Sequence, residues 1–192
     1  MVQNNQFIFK VEDQSPFTIW FGGYIGGQHK PYHQYLRAIE RQKEIPPIPE
    51  LRSIVGRKIH LLMSDDALQM DFRAIQEFVA NYLHCYEVEI SFQSLYLSKE
   101  VKKYVAFTKT SRCIVIKYIK EGKVIQECFL PRSVEREEIK EAIEELHSDI
   151  KIQKIPILII DNQENLEDIQ MFGTLVSSSE IFENYEQIRK GY

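Results

Sequence analysis

The stretch Lys58 to Gln93 constrains the fold of this chain more than any other. Ile59 to Met63 is a short apolar run of strand length. Asp66 suits a helix cap, and Gln69 three residues on completes a capping-box pattern. Phe72, Ile75, Val79, Tyr82 and Leu83 then fall on one helical face. Glu87 to Phe92 alternates, with Val88, Ile90 and Phe92 on one side. A helix between two such strands predicts a parallel pair joined by a crossover. Ser64-Asp65-Asp66 then sits at the carboxyl end of a strand, where open α/β sheets place their ligand sites.

The rest of the chain extends this unit. Gln6 to Val11 and Phe17 to Phe21 read as strands. Gly22, Gly23, Gly26 and Gly27 follow, and Pro31 suits the first turn of a helix to about Lys43. Pro46, Pro47 and Pro49 end it as a stiff connector at 46–49. Residues 1–45 are therefore expected as an N-terminal β-β-α layer or arm, and 51–192 as the main α/β body of one domain. Ser98 predicts a short helix to about Phe107, with Val101, Tyr104 and Val105 inward. Cys113 to Ile119 and Lys123 to Leu130 predict a hairpin around Lys120-Glu121-Gly122. Ser133 precedes a charged helix to about Leu146, with Val134, Ile139, Ala142, Ile143 and Leu146 as its stripe. Ile155 to Ile160 is apolar on both parities, the mark of a strand covered on both faces. Leu166 to Val176 and Ser179 to Lys190 read as helices, with Ser179 as cap and Gly191 as stop for the second. The expected architecture is α/β. It has a mixed, mostly parallel sheet with helices on both faces, a β-hairpin insertion and an N-terminal β-rich layer.

Three carboxylates form the first candidate site. Asp65 and Asp66 follow one strand and Asp161 another. If those strands are parallel neighbours, the three meet at one sheet edge. Grouped carboxylates suit Mg²⁺, which takes hard oxygen ligands. The pattern resembles the acidic pocket of receiver-like and other flavodoxin-like domains. The hairpin at 113–130, and the lack of a phosphate-contacting lysine after a later strand, depart from that family. The second candidate is the glycine cluster before the Pro31 helix, where Gly26, Gly27 and Lys30 would contact phosphate. It lacks the Gly-Lys-Ser/Thr of a P-loop and the G-x-G-x-x-G of a dinucleotide fold. No cofactor motif is evident, and Mg²⁺ is the one cofactor the residues suggest.

Other chemistries find less support. His29 and His33 straddle the start of a helix, and His60, His84 and His147 stand isolated in the sequence. No G-x-S-x-G elbow is present. Cys85, Cys113 and Cys128 are odd in number and widely spaced, which predicts a reducing, cytoplasmic setting. No apolar run is long enough for a membrane span, so no membrane partner is expected.

Charge is uneven along the chain. Residues 99–123 carry eight basic side chains against two acidic, and 124–192 fifteen acidic against seven basic. Lys99, Lys102, Lys103, Lys109 and Arg112 are expected as a basic surface, interleaved with Tyr104, Phe107 and Tyr118. Nucleic acid is the weaker partner such a surface suggests, because the whole chain is acidic. A protein partner or self-association is the stronger one. The first functional expectation is an interaction or regulatory protein without a catalytic constellation. The alternative is a Mg²⁺-dependent enzyme or binder of a phosphorylated ligand or nucleotide at the carboxyl ends of the strands.

Overall fold

The computed structural model describes residues 6–10, 58–69, 72–73, 76–77, 87–110, 112–161 and 165–190. The chain divides into two compact units, Met1–Phe92 and Gln93–Tyr192.

In the first unit, β1 (Gln6–Lys10), β2 (Lys58–Met63) and β3 (Glu87–Phe92) form a three-stranded sheet in the order β1-β2-β3. Both pairings are parallel, with Lys10 opposite Leu62 and Met63 opposite Phe92. The strand–helix–strand reading holds: Gln69, Phe72, Arg73, Gln76 and Glu77 are helical between β2 and β3. This helical stretch is anchored to β3, because the Phe72 ring meets the Phe92 ring at 5.3 Å and Gln76 Nε2 donates to the Val88 carbonyl at 3.1 Å. It therefore covers the Phe92 face of the sheet. The first strand of the expected N-terminal layer is paired directly into this sheet through β2. The expected strand at Phe17 to Phe21, the glycine cluster with Gly26, Gly27 and Lys30, the Pro31 helix and the connector at 46–49 lie outside the described residues.

The second unit is a mixed five-stranded sheet. Its strands are β4 (Lys103–Lys109), β5 (Cys113–Lys120), β6 (Lys123–Pro131), β7 (Ile157–Ile160) and β8 (Thr174–Val176), in the order β6-β5-β4-β7-β8. β4, β5 and β6 pair antiparallel, while β7 joins β4 and β8 joins β7 in parallel. The hairpin falls where expected. Glu121 has φ 51° and Gly122 φ 71°, the two positive values that a two-residue primed turn requires. Helix α1 (Arg136–Leu146) buries Ile139, Ile143 and Leu146 against Val105, Phe107, Ile114 and Ile116. Each such side chain contributes about 1.5–3 kcal/mol of transfer free energy. A short helix, α2 (Ser148–Ile152), follows. The opposite face carries Tyr104, whose hydroxyl donates to the Ser94 carbonyl of the 3-10 turn Gln93–Tyr96. The Tyr96 ring meets Tyr185 of α3 (Ser178–Lys190) edge-on at 5.0 Å. No described helix is long and apolar enough to cross a membrane.

Two expected helices are corrected. The segment read as a Ser98 helix is a turn leading into β4. Ser98 Oγ accepts from the Glu100 and Val101 amides, and every side chain from Tyr104 to Thr110 is buried. A single helical stripe cannot bury both parities, whereas a central strand does. The segment Leu166 to Val176 is instead a turn, a 3-10 turn at Gln170–Phe172 and the strand β8. Leu166 and Ile169 still reach the core, so their spacing reports burial rather than a helix.

Candidate functional site at the carboxyl ends of the strands

In the first unit β2 runs through Leu61, Leu62 and Met63, all buried, and turns sharply at its carboxyl end. The Ala67 amide donates to the Ser64 carbonyl at 3.1 Å, which closes the turn. Inside it, Ser64, Asp65 and Asp66 are 5%, 2% and 4% exposed. Ser64 Oγ donates to Asp66 Oδ1 at 2.7 Å. Two adjacent carboxylates taken out of water repel each other, and a divalent cation offsets that repulsion. Among the described residues no group of three or more His, Cys, Asp or Glu side chains is placed to hold a metal. Mg²⁺ needs only one or two protein carboxylates when phosphate oxygens and water complete its shell.

Asp161 stands elsewhere in the topology. It follows β7, in the five-stranded sheet, and its amide donates to the Val176 carbonyl at 3.0 Å. β2 and β7 are thus not neighbours in one sheet, and the common sheet edge expected for the three aspartates does not form.

The second unit has its own carboxyl edge, and Lys109 dominates it. The β4–β7 register pairs Phe107 with Ile159, so two residues on Lys109 is level with Asp161. From β4 the sheet extends to β5 on one side, and from β7 to β8 on the other. That divergence is the switch point at which α/β sheets open a crevice. Lys109 Nζ donates to Asp168 Oδ1 and Oδ2 at 2.8 and 2.7 Å, and to the Asn165 carbonyl at 2.9 Å. Thr110 shapes the adjoining turn. Its Oγ1 accepts from the Arg112 and Cys113 amides and donates to the Cys113 carbonyl.

This removes Lys109 from the expected basic surface. Lys109 is 6% exposed and belongs to the interior. Burial of an ammonium requires a partner, and Asp168 lies too far along the chain for sequence inspection to pair them. Lys99, Lys102 and Arg112 are exposed, and Lys103 is half-buried. Tyr104, Phe107 and Tyr118 are core side chains and not platforms on which a base could stack. Tyr118 instead donates to Asp149 Oδ2 at 2.8 Å, within reach of Lys120, Lys103 and His147.

His60 is the residue that sequence reading undervalued. On β2 it is not isolated: Nε2 lies 2.9 Å from Ser91 Oγ and Nδ1 lies 3.3 Å from Glu89 Oε2. Only the β2–β3 register, which pairs His60 with Glu89, reveals this contact.

No protein-family model matches the chain, and no curated protein matches it. Solved structures do. A Porphyromonas gingivalis protein provisionally assigned as an N-acetylglucosamine kinase superposes with a TM-score of 0.58 at 10% identity, over 96% of this chain and 98% of its own. YeaZ from Pseudomonas aeruginosa gives a TM-score of 0.40 at 10% identity, over 97% and 93%. MreB5 of Spiroplasma citri bound to ADP gives 0.39 at 7% identity, over 54% of this chain. The chain spans only 32% of the length of that MreB5. The first of these places the chain in an α/β fold shared along nearly its whole length.

Proposed function

We propose that the chain binds a nucleotide or another phosphorylated ligand, together with Mg²⁺, at the carboxyl ends of its strands. The observation that carries this reading is the buried turn Ser64–Asp66 at the end of β2. Asp65 and Asp66 would supply hard oxygen ligands to the ion, and the ligand's phosphate oxygens would complete its shell. The likeness to a protein provisionally assigned as a kinase supports this reading over that of an interaction protein. The interaction reading rests on the lack of a recognisable catalytic constellation and on the uneven charge along the chain.

Thermal unfolding with and without Mg²⁺ and ADP or a non-hydrolysable ATP analogue tests it. Ligand at a hundred times its Kd stabilises by about 2.7 kcal/mol. For a chain of this size that raises the midpoint by roughly 5–10 °C. The rise is expected to vanish with EDTA and in the Asp65→Asn, Asp66→Asn double variant. An unaltered protein whose midpoint stays fixed at millimolar Mg²⁺-nucleotide would sink the reading.

A further inference from the structure

We propose that Ser91 is an activated nucleophile that accepts the acyl group of a small neutral ester, with His60 as its base and Glu89 as the group that orients the imidazole. The three side chains come from adjacent parallel strands. His60 pairs with Glu89 and Leu62 with Ser91, so His60, Glu89 and Ser91 share one face of the sheet. It is the face opposite the one where Phe72 covers Phe92.

Both ring nitrogens of an enclosed imidazole need polar partners. His60 is held at both ring nitrogens, and in the order that chemistry requires. Glu89 Oε2, 3.3 Å from Nδ1, favours the tautomer with its proton on that nitrogen. In that tautomer Nε2 is the acceptor for Ser91 Oγ, 2.9 Å away. Nucleophile, base and orienting carboxylate in that order are the arrangement by which serine is activated. The His60 side chain is 5% exposed, which strengthens both interactions, while Glu89 at 31% stays open to solvent. Ser91 is the penultimate residue of β3, and Met63 beside Phe92 leads directly into Ser64–Asp66. The nucleophile therefore lies at the carboxyl edge, where α/β sheets present their ligands.

The charges select the substrate class. Glu89 within the relay and Asp65 and Asp66 along the same edge repel an anionic phosphoryl donor that arrives without a metal, but not a neutral ester. In the reaction Ser91 Oγ bonds to the ester carbonyl carbon as its proton passes to His60 Nε2. The tetrahedral adduct collapses, the bond to the alcohol oxygen breaks, and the alcohol leaves with that proton. Water repeats the sequence, releases the acid and restores Ser91. Glu89 stabilises the imidazolium in each half and stays ionised.

The inference is independent of the nucleotide reading. Its test treats the full chain with p-nitrophenyl acetate and, separately, with a fluorophosphonate probe, and maps the adduct by peptide mass. The expected result is an adduct on Ser91, absent in Ser91→Ala and formed about a hundredfold more slowly in His60→Gln. In the unaltered protein its rate should rise with pH as the imidazole loses its proton. Circular dichroism separates loss of reactivity from loss of fold. The proposal is overturned by the absence of an adduct at Ser91 in the folded, unaltered protein. It is equally overturned by a labelling rate that is flat across the histidine range, or by one unchanged in a folded His60→Gln variant.

Discussion

At the scale of single residues, burial decides which charges matter. Lys109 is nearly enclosed, while the Asp168 side chain that binds it is 44% exposed. The two halves of this ion pair are therefore unequal. Removing Asp168 leaves an ammonium inside the protein, and removing Lys109 leaves a carboxylate that water reaches. Asp168→Ala is expected to cost about 2–4 kcal/mol and Lys109→Met about 1 kcal/mol, measured by urea unfolding. Equal costs, or the reverse order, would show that the pair is not anchored by burial of the lysine. Tyr118 makes a second case. Burial first, then its hydrogen bond and the charge of Asp149, push its hydroxyl from an ordinary 10.0 up to about 12. A group raised on folding stabilises fully below its unfolded value and loses that contribution as pH rises through the folded one. Stability should therefore fall between about pH 10 and 12, and Tyr118→Phe should remove that part of the slope. The same bond holds the Asp149 carboxyl below its usual value, with Lys120, His147 and Lys103 adding to it. Its contribution is present above about pH 4 and fades in acid.

Elements differ in how far they announce themselves. The β5–β6 hairpin is legible because Glu121-Gly122 meets a local steric demand for positive φ. Helix α1 is legible because Ile139, Ile143 and Leu146 recur at helical spacing. The cap of α3 was nearly legible. Ser177, not Ser179, forms the capping box, donating its amide to Glu180 Oε2 at 2.7 Å while its Oγ accepts from the Glu180 amide. Three consecutive serines hide the register, although only Ser177 has a glutamate three residues on. β8 was not legible. Gly173 precedes it with φ −166°, a value open to any residue. Its glycine is needed for space instead, because a Cβ there would collide with the backbone carbonyl of Ile157. Gly173→Ala is accordingly expected to push β8 away from β7 and cost about 2–4 kcal/mol. A melting midpoint equal to that of the unaltered protein would show that the two strands can shift freely.

Over the whole molecule, the α/β class and the mixed sheet follow from the order of apolar runs along the chain. Placing the candidate residues does not. Asp65 and Asp66 sit at a carboxyl edge, as the strand–helix–strand pattern implies, but Asp161 belongs to another sheet. The sequence by itself determined those elements whose signal lies within a few residues: the β2-to-β3 crossover, the hairpin, the α1 stripe and the two-sided apolar strand β7. Tertiary structure alone decided that Tyr104 to Thr110 is a central strand, that Lys109 is buried against Asp168, and that His60 lies between Ser91 and Glu89. The physical reason is range. Turn sterics and amphipathic spacing act between near neighbours, whereas strand register and burial depend on partners dozens of residues away.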